Sequence, residues 1–420
     1  MSMDECGETP LMRQREYRYW FLCDTSSQIG VVVGGFAFTL LGYTVTHNYV
    51  LSGLAGTLNS LVTAFMVIPG GIISDYHDRR RLIILSGAFA AALDAALALT
   101  LLAGRMSAPL LFVFVTANGA LSGLFSNTTN VALPQVVGKN QLADATAANQ
   151  SRDAVLQLAA SPLAGLLYGV SAALPLAVAC ASRALQSVFG MALRCDLRPD
   201  PRDRGGDGGP AVLRDGLEGA RWYARNGRAR LILLLIVVQV MVLSMCGTVV
   251  VLYQQSLGTT SLMLGVIQTF QGVGMLLGGV IGMRLVRELA GRTVFVLTSL
   301  AFVTSFSLMS LTASPWILAL LGFCASVPLI PLNSMIETYL MLLIPISLRG
   351  RVGAVNVLFM SVAQSVSSVA AGTLLHILGY RGALLLPLAI MFVVSMMACS
   401  TPAIGGMPGL SRMDSLETLS

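Results

Sequence analysis

The chain has 420 residues, of which 55% are hydrophobic and 11% are charged, and its formal net charge is +6. Because a soluble domain typically carries about a quarter charged residues, this composition excludes an ordinary soluble protein and indicates a chain whose solvent is the lipid bilayer. The excess of positive charge lies almost entirely in polar segments between apolar runs, so it calls for no nucleic-acid partner.

Long apolar runs follow one another along the whole chain. A helix needs roughly 20 apolar residues to cross a bilayer, and these runs are continuous rather than alternating, which favours helices over the strands of a membrane barrel. We therefore predict an all-α membrane protein with twelve transmembrane helices. The predicted spans are 19–45, 49–73, 82–103, 109–133, 150–170, 171–193, 230–253, 259–283, 293–312, 315–344, 353–377 and 383–404.

Basic residues are distributed unevenly between the two sides of these spans. With the N-terminus inside, most of the 26 Lys and Arg residues fall in cytoplasmic segments, whereas the outer loops hold only Arg105 and Arg381. Cytoplasmic loops of membrane proteins carry such an excess of positive charge. The pattern predicts an even number of spans and two cytoplasmic termini.

A polar segment, "RCDLRPDPRDRGGDGGP" at 194–210, divides the chain into two sets of six predicted spans. Its proline, glycine and charge content is typical of a flexible linker. The following residues, 211–230, have helical spacing and many arginines, which fits either a short helix on the membrane surface or a solvated connector. We predict two six-helix bundles at 1–193 and 230–404, a linker at 194–229 and a cytoplasmic tail at 405–420.

The two halves also repeat local patterns. The second and eighth spans end in "GGIISDYHDRRR" and "GGVIGMRLVRELAGR", and the fourth and tenth are followed by "LPQVVGKNQLADATAAN" and "IPISLRGRVGAVN". Weak symmetry between halves is typical of transporters that rock around a central site.

On these features the chain resembles the major facilitator superfamily, whose loop between the second and third helices reads G-x-x-x-D-R-x-G-R-R. Gly71, Asp75, Arg79 and Arg80 match this motif. Tyr76 and Asp78 depart from it. Three segments, "DYHDRRR", "LRDGLEGARWYARNGRARLILL" and "IPISLRGRVGAV", are similar to the branch that contains enterobactin exporters and macrolide efflux proteins.

The resemblance implies a role for this gating loop. Asp75 would contact the positive N-terminus of the helix that begins near Val352 when the cytoplasmic side is closed, and Arg79 and Arg80 would position the loop. The alternative is that Asp75 only ends its helix and the arginines only orient the chain in the membrane. Tyr76 weakens the first interpretation, since the family uses an arginine there.

Away from the ends of the predicted spans, four ionisable residues are candidates for function, since charge there is costly: Asp24, Asp94, Arg183 and Glu337. Arg183 cannot lose its proton and therefore requires a carboxylate, for which Asp24 is the favoured partner and Asp94 the alternative. We predict an intramembrane ion pair of Asp24 and Arg183.

The remaining carboxylates are candidates for proton coupling. Glu337 follows a helix that we expect to be broken at Pro328 and Pro331, and broken helices mark binding regions in transporters. We predict Glu337 and Asp94 as proton-coupling residues, with pairing to Arg183 as the alternative for Asp94 and closeness to the inner water interface as that for Glu337.

Amide and aromatic side chains in the spans are candidates for the wall of a substrate cavity, although many such groups instead join helices by hydrogen bonds. This sparse polarity suits a bulky, apolar or amphipathic molecule better than a sugar or an ion. The candidates are Gln28, Phe36, Asn59, Asn127, Gln157, Gln239, Gln268, Gln271, Asn333 and Gln364.

The sequence thus predicts a secondary active transporter that exports a small organic molecule, such as a drug, siderophore or natural product, by proton antiport and alternating access. Uptake by the same fold and a receptor or scaffold without transport remain alternatives. An enzyme is not expected, since no H-E-x-x-H, G-x-S-x-G or P-loop motif is present. We expect no cofactor or metal, the proton gradient as energy source, and a monomer in a bacterial plasma membrane whose partners are lipid and substrate.

Overall fold

The structure is a computed structural model that describes residues 10–126, 128–137, 141–195, 197–198, 218–282, 289, 291–345 and 348–399. Within these ranges the regular secondary structure is entirely helical. The predicted tail, and the greater part of the predicted linker, lie outside the described residues.

Among the residues that the structure describes, seven α-helices precede the linker. A short 3₁₀ turn, Leu11–Arg13, leads into the first of them. They are α1 (Arg15–Thr46), α2 (Tyr49–Tyr76), α3 (Arg79–Leu102), α4 (Ala108–Phe125), α5 (Thr128–Val136), α6 (Leu142–Val170) and α7 (Ala173–Ala192). The predicted fourth span, 109–133, is therefore divided between α4 and α5.

After the linker, the described residues begin with a helical stretch at 218–225 and continue with six longer α-helices. They are α8 (Gly227–Ser256), α9 (Ser261–Leu277), α10 (Gly291–Met309), α11 (Pro315–Ser326), α12 (Leu329–Leu343) and α13 (Arg349–Cys399). A π-helical turn, Gly278–Gly282, continues α9. The break between α11 and α12, at Val327–Pro328, confirms the predicted interruption of the tenth span.

Ten helices are long and apolar enough to cross a membrane among the described residues. α6 does not belong to these ten; its first half, "LADATAANQSRD", is polar. The apolar part of α13, Leu358–Met396, covers two predicted spans, and inside α13 Gly379 has φ 66° and ψ −177°, a non-helical conformation that glycine adopts without strain. The described residues thus form a helical protein that can cross the membrane many times. The number of twelve spans stays a prediction.

The chain forms two compact units with short exchanged segments. Unit 1 consists of Met1–His47, Leu58–Gly208 and Thr260–Gly265, and unit 2 of Asn48–Thr57, Gly209–Thr259 and Val266–Ser420. α2 therefore begins in unit 2 and ends in unit 1.

The core of unit 1 near the start of α1 is aromatic. Tyr17 and Trp20 are fully buried with Cys23, and Ile83 of α3 and Ala145 of α6 belong to the same cluster. The indole N–H of Trp20 donates to the carbonyl of Thr129, 3.1 Å away, which fixes α1 against α5. This end of α1 is therefore held rigidly against three other helices.

The core of unit 2 includes a residue of the linker. Tyr223, in the helical stretch 218–225, is 4% exposed and packs in a cluster with Ile232 and Leu233 of α8 and Leu332 of α12. Burial raises the pKa of the Tyr223 phenol to about 12. The described part of residues 211–230 thus contains a helix whose Tyr223 packs in the core of unit 2.

Candidate functional site: buried ion pairs of unit 1

Arg152 forms a buried ion pair that joins α6 to α1. Its Nη2 donates to Oδ2 of Asp24 at 2.5 Å and to Oδ1 of Asp153 at 2.8 Å, and its Nη1 donates to Oγ1 of Thr25 at 3.3 Å. The side chains of Arg152 and Asp24 are 8% and 3% exposed, whereas that of Asp153 is 37% exposed. Cζ of Arg152 also lies 5.0 Å from the ring centroid of Phe21, a favourable cation–π distance.

A second ion pair joins α7 to α3. Nε of Arg183 lies 3.0 Å from Oδ2 of Asp94, with the two side chains 11% and 1% exposed. These two atoms make an ionic contact without a well-aligned hydrogen bond. A methyl group added at Gly30 of α1 would lie 2.8 Å from Cγ of Arg183, so the arginine side chain crosses α1 where no side chain obstructs it.

The predicted pairing of Asp24 with Arg183 is wrong. Arg183 pairs with Asp94, the alternative that the sequence left open, and Asp24 pairs with Arg152. Arg152 was not considered as a partner, because it lies at the very start of the predicted fifth span, 150–170. α6 begins at Leu142, so Arg152 lies well inside the helix. The alanine-rich run before Arg152, which favours helix, was the signal that could have revealed this.

The gating-loop arginines bind carbonyl groups at helix ends. Arg80 donates from Nη2 to the carbonyl of Met191 at 2.6 Å and from Nε to that of Gly190 at 3.4 Å, in the last turn of α7. A cation there complements the partial negative charge of a helix C-terminus. Arg79, 7% exposed, donates from Nη1 to the carbonyl of Val131 at 3.4 Å. Both arginines thus fix α3 against neighbouring helices of unit 1.

Gly71, Asp75 and Asp78 are the remaining residues of the gating loop. Gly71 is exposed, and a methyl group there would meet nothing within 4 Å. Asp75 lies in the last turn of α2, but its side chain is outside the described set. Asp78, which stands where the family motif has glycine, caps α3 by accepting a hydrogen bond from the backbone N–H of Arg80 at 3.0 Å.

Asp94 and Glu337 are the two predicted proton-coupling residues. Asp94 lies in the middle of α3 and is fully enclosed, with Arg183 as its ionic partner. Glu337 lies in α12, after the break at Pro328, but its side chain falls outside the described set.

The cavity candidates of unit 1 lie mostly in helix contacts. Phe36 packs beside Val33 and Ala164, and Gln28 is partly buried on the same helix. The backbone carbonyl of Asn59 accepts a hydrogen bond from Oγ1 of Thr63, one turn along α2, at 2.9 Å. The same carbonyl lies against Gly119 of α4. Asn127 and the side chain of Gln157 lie outside the described set.

The cavity candidates of unit 2 have varied exposure. Gln239 is 8% exposed and lines a small cavity of about 10 Å³ with Ser299 and Ser395. Gln271 packs on Gly322. Gln268 is partly buried, whereas Asn333 and Gln364 are exposed.

Outside the spans, Glu16 connects the start of α1 to the residues after α7. Its Oε2 accepts from the backbone N–H groups of Arg194 at 2.9 Å and Cys195 at 3.2 Å. Burial, reinforced by the Glu16 charge, raises the pKa of the Cys195 thiol to about 12. This thiol is therefore protonated and unreactive at neutral pH.

Comparison with solved structures gives the same fold over almost the whole chain. A mutant of the nucleoside transporter NupG matches with a TM-score of 0.74 and 11% identity, covering 91% of this chain and 100% of the other. A mutant peptide transporter POT matches with a TM-score of 0.69 and 12% identity over 94% and 95% of the two chains. A bacterial homologue of the iron transporter ferroportin, in an inward-facing state, matches with a TM-score of 0.61 and 19% identity over 91% and 99%.

No curated protein sequence matches the chain. The family model described as Major Facilitator Superfamily matches residues 21–282, which is more than half of the 420 residues. It spans both ion pairs, the gating loop and the linker. The chain belongs to the Major Facilitator Superfamily.

Proposed function

We propose that the protein is a secondary active exporter of a small, bulky or amphipathic organic molecule, driven by proton antiport. The observation that carries this proposal is the presence of buried carboxylates inside the helices of a major facilitator protein. A carboxylate held in a span is costly, so it persists where it pairs, binds a proton or serves transport. We place the chain in the enterobactin-exporter and macrolide-efflux branch on the three segments that resemble it.

Asp94 and Glu337 are the proposed proton-coupling residues. A proton on Asp94 would remove the charge that holds Arg183, and so would change the link between α3 and α7. Two states that differ in this link would have different proton affinities, and proton binding would shift the balance between them. Alternating access then follows if the two states open to opposite sides of the membrane.

The proposed substrate class rests on the character of the spans. Amide and aromatic side chains such as Gln28, Phe36 and Gln268 are scattered on helices with few charges. Ligand sites of this kind are largely apolar with a few polar groups that fix orientation. We propose that the transporter works as a monomer in a bacterial plasma membrane, with both termini cytoplasmic, without a cofactor or nucleic-acid partner.

Efflux from a bacterial host that lacks its own drug pumps tests the proposal. The host is loaded in turn with a macrolide, a cationic dye and a siderophore, and retention is measured with and without an uncoupler. We expect lower retention of at least one compound in expressing cells, and restored retention when the uncoupler is added. Higher retention in expressing cells would instead establish uptake, and no change for any compound at any pH would favour a receptor or scaffold.

Two variants locate the coupling in the same assay. Asp94→Asn and Glu337→Gln should each reduce uncoupler-sensitive efflux, because neither amide can carry a proton. Asp144→Asn is the matched control, since Asp144 is an exposed aspartate in the first turn of α6. Wild-type efflux and pH dependence in both variants would contradict the coupling assignment.

A further inference from the structure

An open pocket of about 660 Å³ lies in unit 2, where the helical stretch 218–225 meets the start of α8 and the end of α12. The residues that line it are Trp222, Arg225, Asn226, Gly227, Arg228 and Leu343. The pocket therefore combines two cationic side chains with an apolar wall made by an indole and a leucine.

The walls of this pocket are fixed by the protein core. Trp222 and Leu343 pack against the buried cluster that contains Tyr223. The backbone N–H of Asn226 donates to the carbonyl of Trp222 at 3.0 Å, and its Oδ1 accepts from the backbone N–H of Ala229 at 3.3 Å. The turn that joins the helical stretch to α8 is thus held by hydrogen bonds on both sides, so the pocket exists before any ligand binds.

The electrostatic potential of the pocket is positive. The sequence from 219 to 230 contains four arginines and no acidic residue. Arg230 donates to the carbonyl of Ala224 at 3.4 Å. Arg225 and Arg228 are exposed, and none of the ion pairs among the described residues involves them. Two guanidinium groups therefore face the pocket with their charge uncompensated, which favours an anionic ligand.

The pocket lies at the depth of the lipid headgroups. α8 has 30 residues and is therefore about 45 Å long, which matches the thickness of a bilayer with its headgroups. The pocket contains the first turn of α8, and the apolar run of the span begins directly after it, at 231–238. Tryptophan, here Trp222, is enriched at this level of membrane proteins.

We propose that this pocket binds the headgroup of one anionic phospholipid. The guanidinium groups of Arg225 and Arg228 hold the phosphate oxygens by charge-assisted hydrogen bonds. Trp222 and Leu343 contact the glycerol and the first carbons of the acyl chains. Basic pockets beside membrane-spanning helices bind anionic headgroups in this way. The bound lipid connects the helical stretch 218–225 to α8, and so ties the end of the linker to the membrane.

The chemistry of the pocket separates this ligand from its two nearest competitors. Phosphatidylcholine carries the same phosphate but adds a quaternary ammonium, which the two arginines repel. Inorganic phosphate has the charge but lacks the apolar part that Trp222 and Leu343 would contact. An anionic phospholipid satisfies both sides of the pocket.

Native mass spectrometry of the purified full-length protein tests the proposal. The protein in detergent is titrated with dioleoyl phosphatidylglycerol, with dioleoyl phosphatidylcholine, and with phosphatidylglycerol in the presence of excess inorganic phosphate. We expect the protein to retain a first phosphatidylglycerol molecule at concentrations at which phosphatidylcholine is not retained, and inorganic phosphate not to displace it. The measurement requires no transport, so its result is independent of the proposed export.

Removing both cations should weaken this binding. Arg225→Gln combined with Arg228→Gln should raise the half-saturating concentration of phosphatidylglycerol about 25-fold, since each basic side chain at a membrane surface contributes roughly a factor of five to affinity. Arg13→Gln combined with Arg18→Gln is the matched control. It removes the same charge from two exposed arginines around the start of α1, and should leave the half-saturating concentration unchanged.

Gly227 allows a second test that keeps both arginines. A methyl group added there would meet nothing within 4 Å, and a carboxylate in the first turn of α8 is favourable for the helix. Gly227→Glu places an anion in the pocket and should weaken phosphatidylglycerol binding about fivefold or more relative to Gly227→Gln, which has nearly the same size without the charge.

Equal retention of phosphatidylglycerol and phosphatidylcholine would overturn the proposal, as would equal weakening by the Arg13 and Arg18 control, which would indicate general attraction to basic charge. Displacement of the lipid by inorganic phosphate would identify a site for soluble anions and would also overturn it. If the arginine double variant does not fold, the comparison of Gly227→Glu with Gly227→Gln decides, and equal binding by these two variants would reject the site.

Discussion

The two units hold their helices together with different chemistry. In unit 1, Arg152 joins α6 to α1 and Arg183 joins α7 to α3 through buried carboxylates. In the described residues of unit 2, the corresponding contacts are neutral: Oγ of Ser367 donates to the carbonyl of Met241 at 2.9 Å, and the rings of Tyr253 and Tyr380 stack with their centroids 4.0 Å apart.

This difference bears on how each unit can respond to protons. Neutral serine and aromatic contacts have the same energy across the physiological pH range, so they make permanent connections. A carboxylate–guanidinium contact depends on the charge of the acid, and within a low-dielectric span its loss leaves an unpaired ion. Among these described contacts, those of unit 1 are therefore the ones whose strength depends on the charge of an acid.

Breaking the Asp94–Arg183 pair should have the largest effect. Arg183→Met leaves a buried carboxylate without its cation, which typically costs about 3–5 kcal/mol, and the measurement is thermal unfolding in detergent. The double variant Asp94→Leu with Arg183→Met should recover most of the loss, because no charge then remains.

The matched control for this change is Arg81→Met. Arg81 is 80% exposed and lies 4.0 Å from Asp78, so its loss should cost less than about 1 kcal/mol. Equal destabilisation by Arg81→Met and Arg183→Met would contradict the view that burial gives the Arg183 pair its importance.

Adding volume at Gly30 tests the same pair from α1. Gly30→Ala would press a methyl group against the stem of Arg183, and overpacking of this kind costs about 1–3 kcal/mol. Gly35→Ala on the same helix meets nothing within 4 Å and should be neutral or slightly stabilising, since alanine favours helix. The Gly30 effect should vanish when Arg183 is already Ala, and its persistence there would place the clash elsewhere.

The sequence predicted the spans far better than it predicted the ion pairs. Long apolar runs identify the helices that contact lipid, and Pro328 correctly predicted the break between α11 and α12, whereas Pro331 lies within the first turn of α12. The pairing of Arg183 could not be predicted, because it depends on which helix faces which. Arg152 was missed for a related reason: hydropathy does not distinguish a polar loop from the polar first half of α6, which is helical but not apolar.

Removing one neutral contact of unit 2 should have a smaller effect than either change in unit 1. Oγ of Ser299 lies 3.3 Å from Oγ of Ser395, between α10 and α13. Ser395→Ala should cost about 0.6 kcal/mol, the average for hydrogen bonds between membrane helices, and the cost should be the same at pH 5.5 and 7.5. A marked pH dependence of the Ser395 effect would show that unit 2 also contains a titrating contact at this position.

The smallest expected effect is that of replacing Glu16, whose contact with the residues after α7 lies outside the spans. The replacement is tested in a variant that keeps Cys195 as its single cysteine. The measurement is the rate at which maleimide labels the Cys195 thiol. Because the pKa of Cys195 is raised to about 12, only a small fraction is thiolate at pH 8, and labelling should speed up about tenfold per pH unit up to pH 10. Glu16→Gln removes a negative charge that raises this pKa, so labelling at any given pH should become faster while the unfolding temperature changes little. Unchanged labelling in Glu16→Gln, with Glu16→Asp as the charge-preserving control, would mean that burial alone protects the thiol and that the Glu16 charge does not raise its pKa.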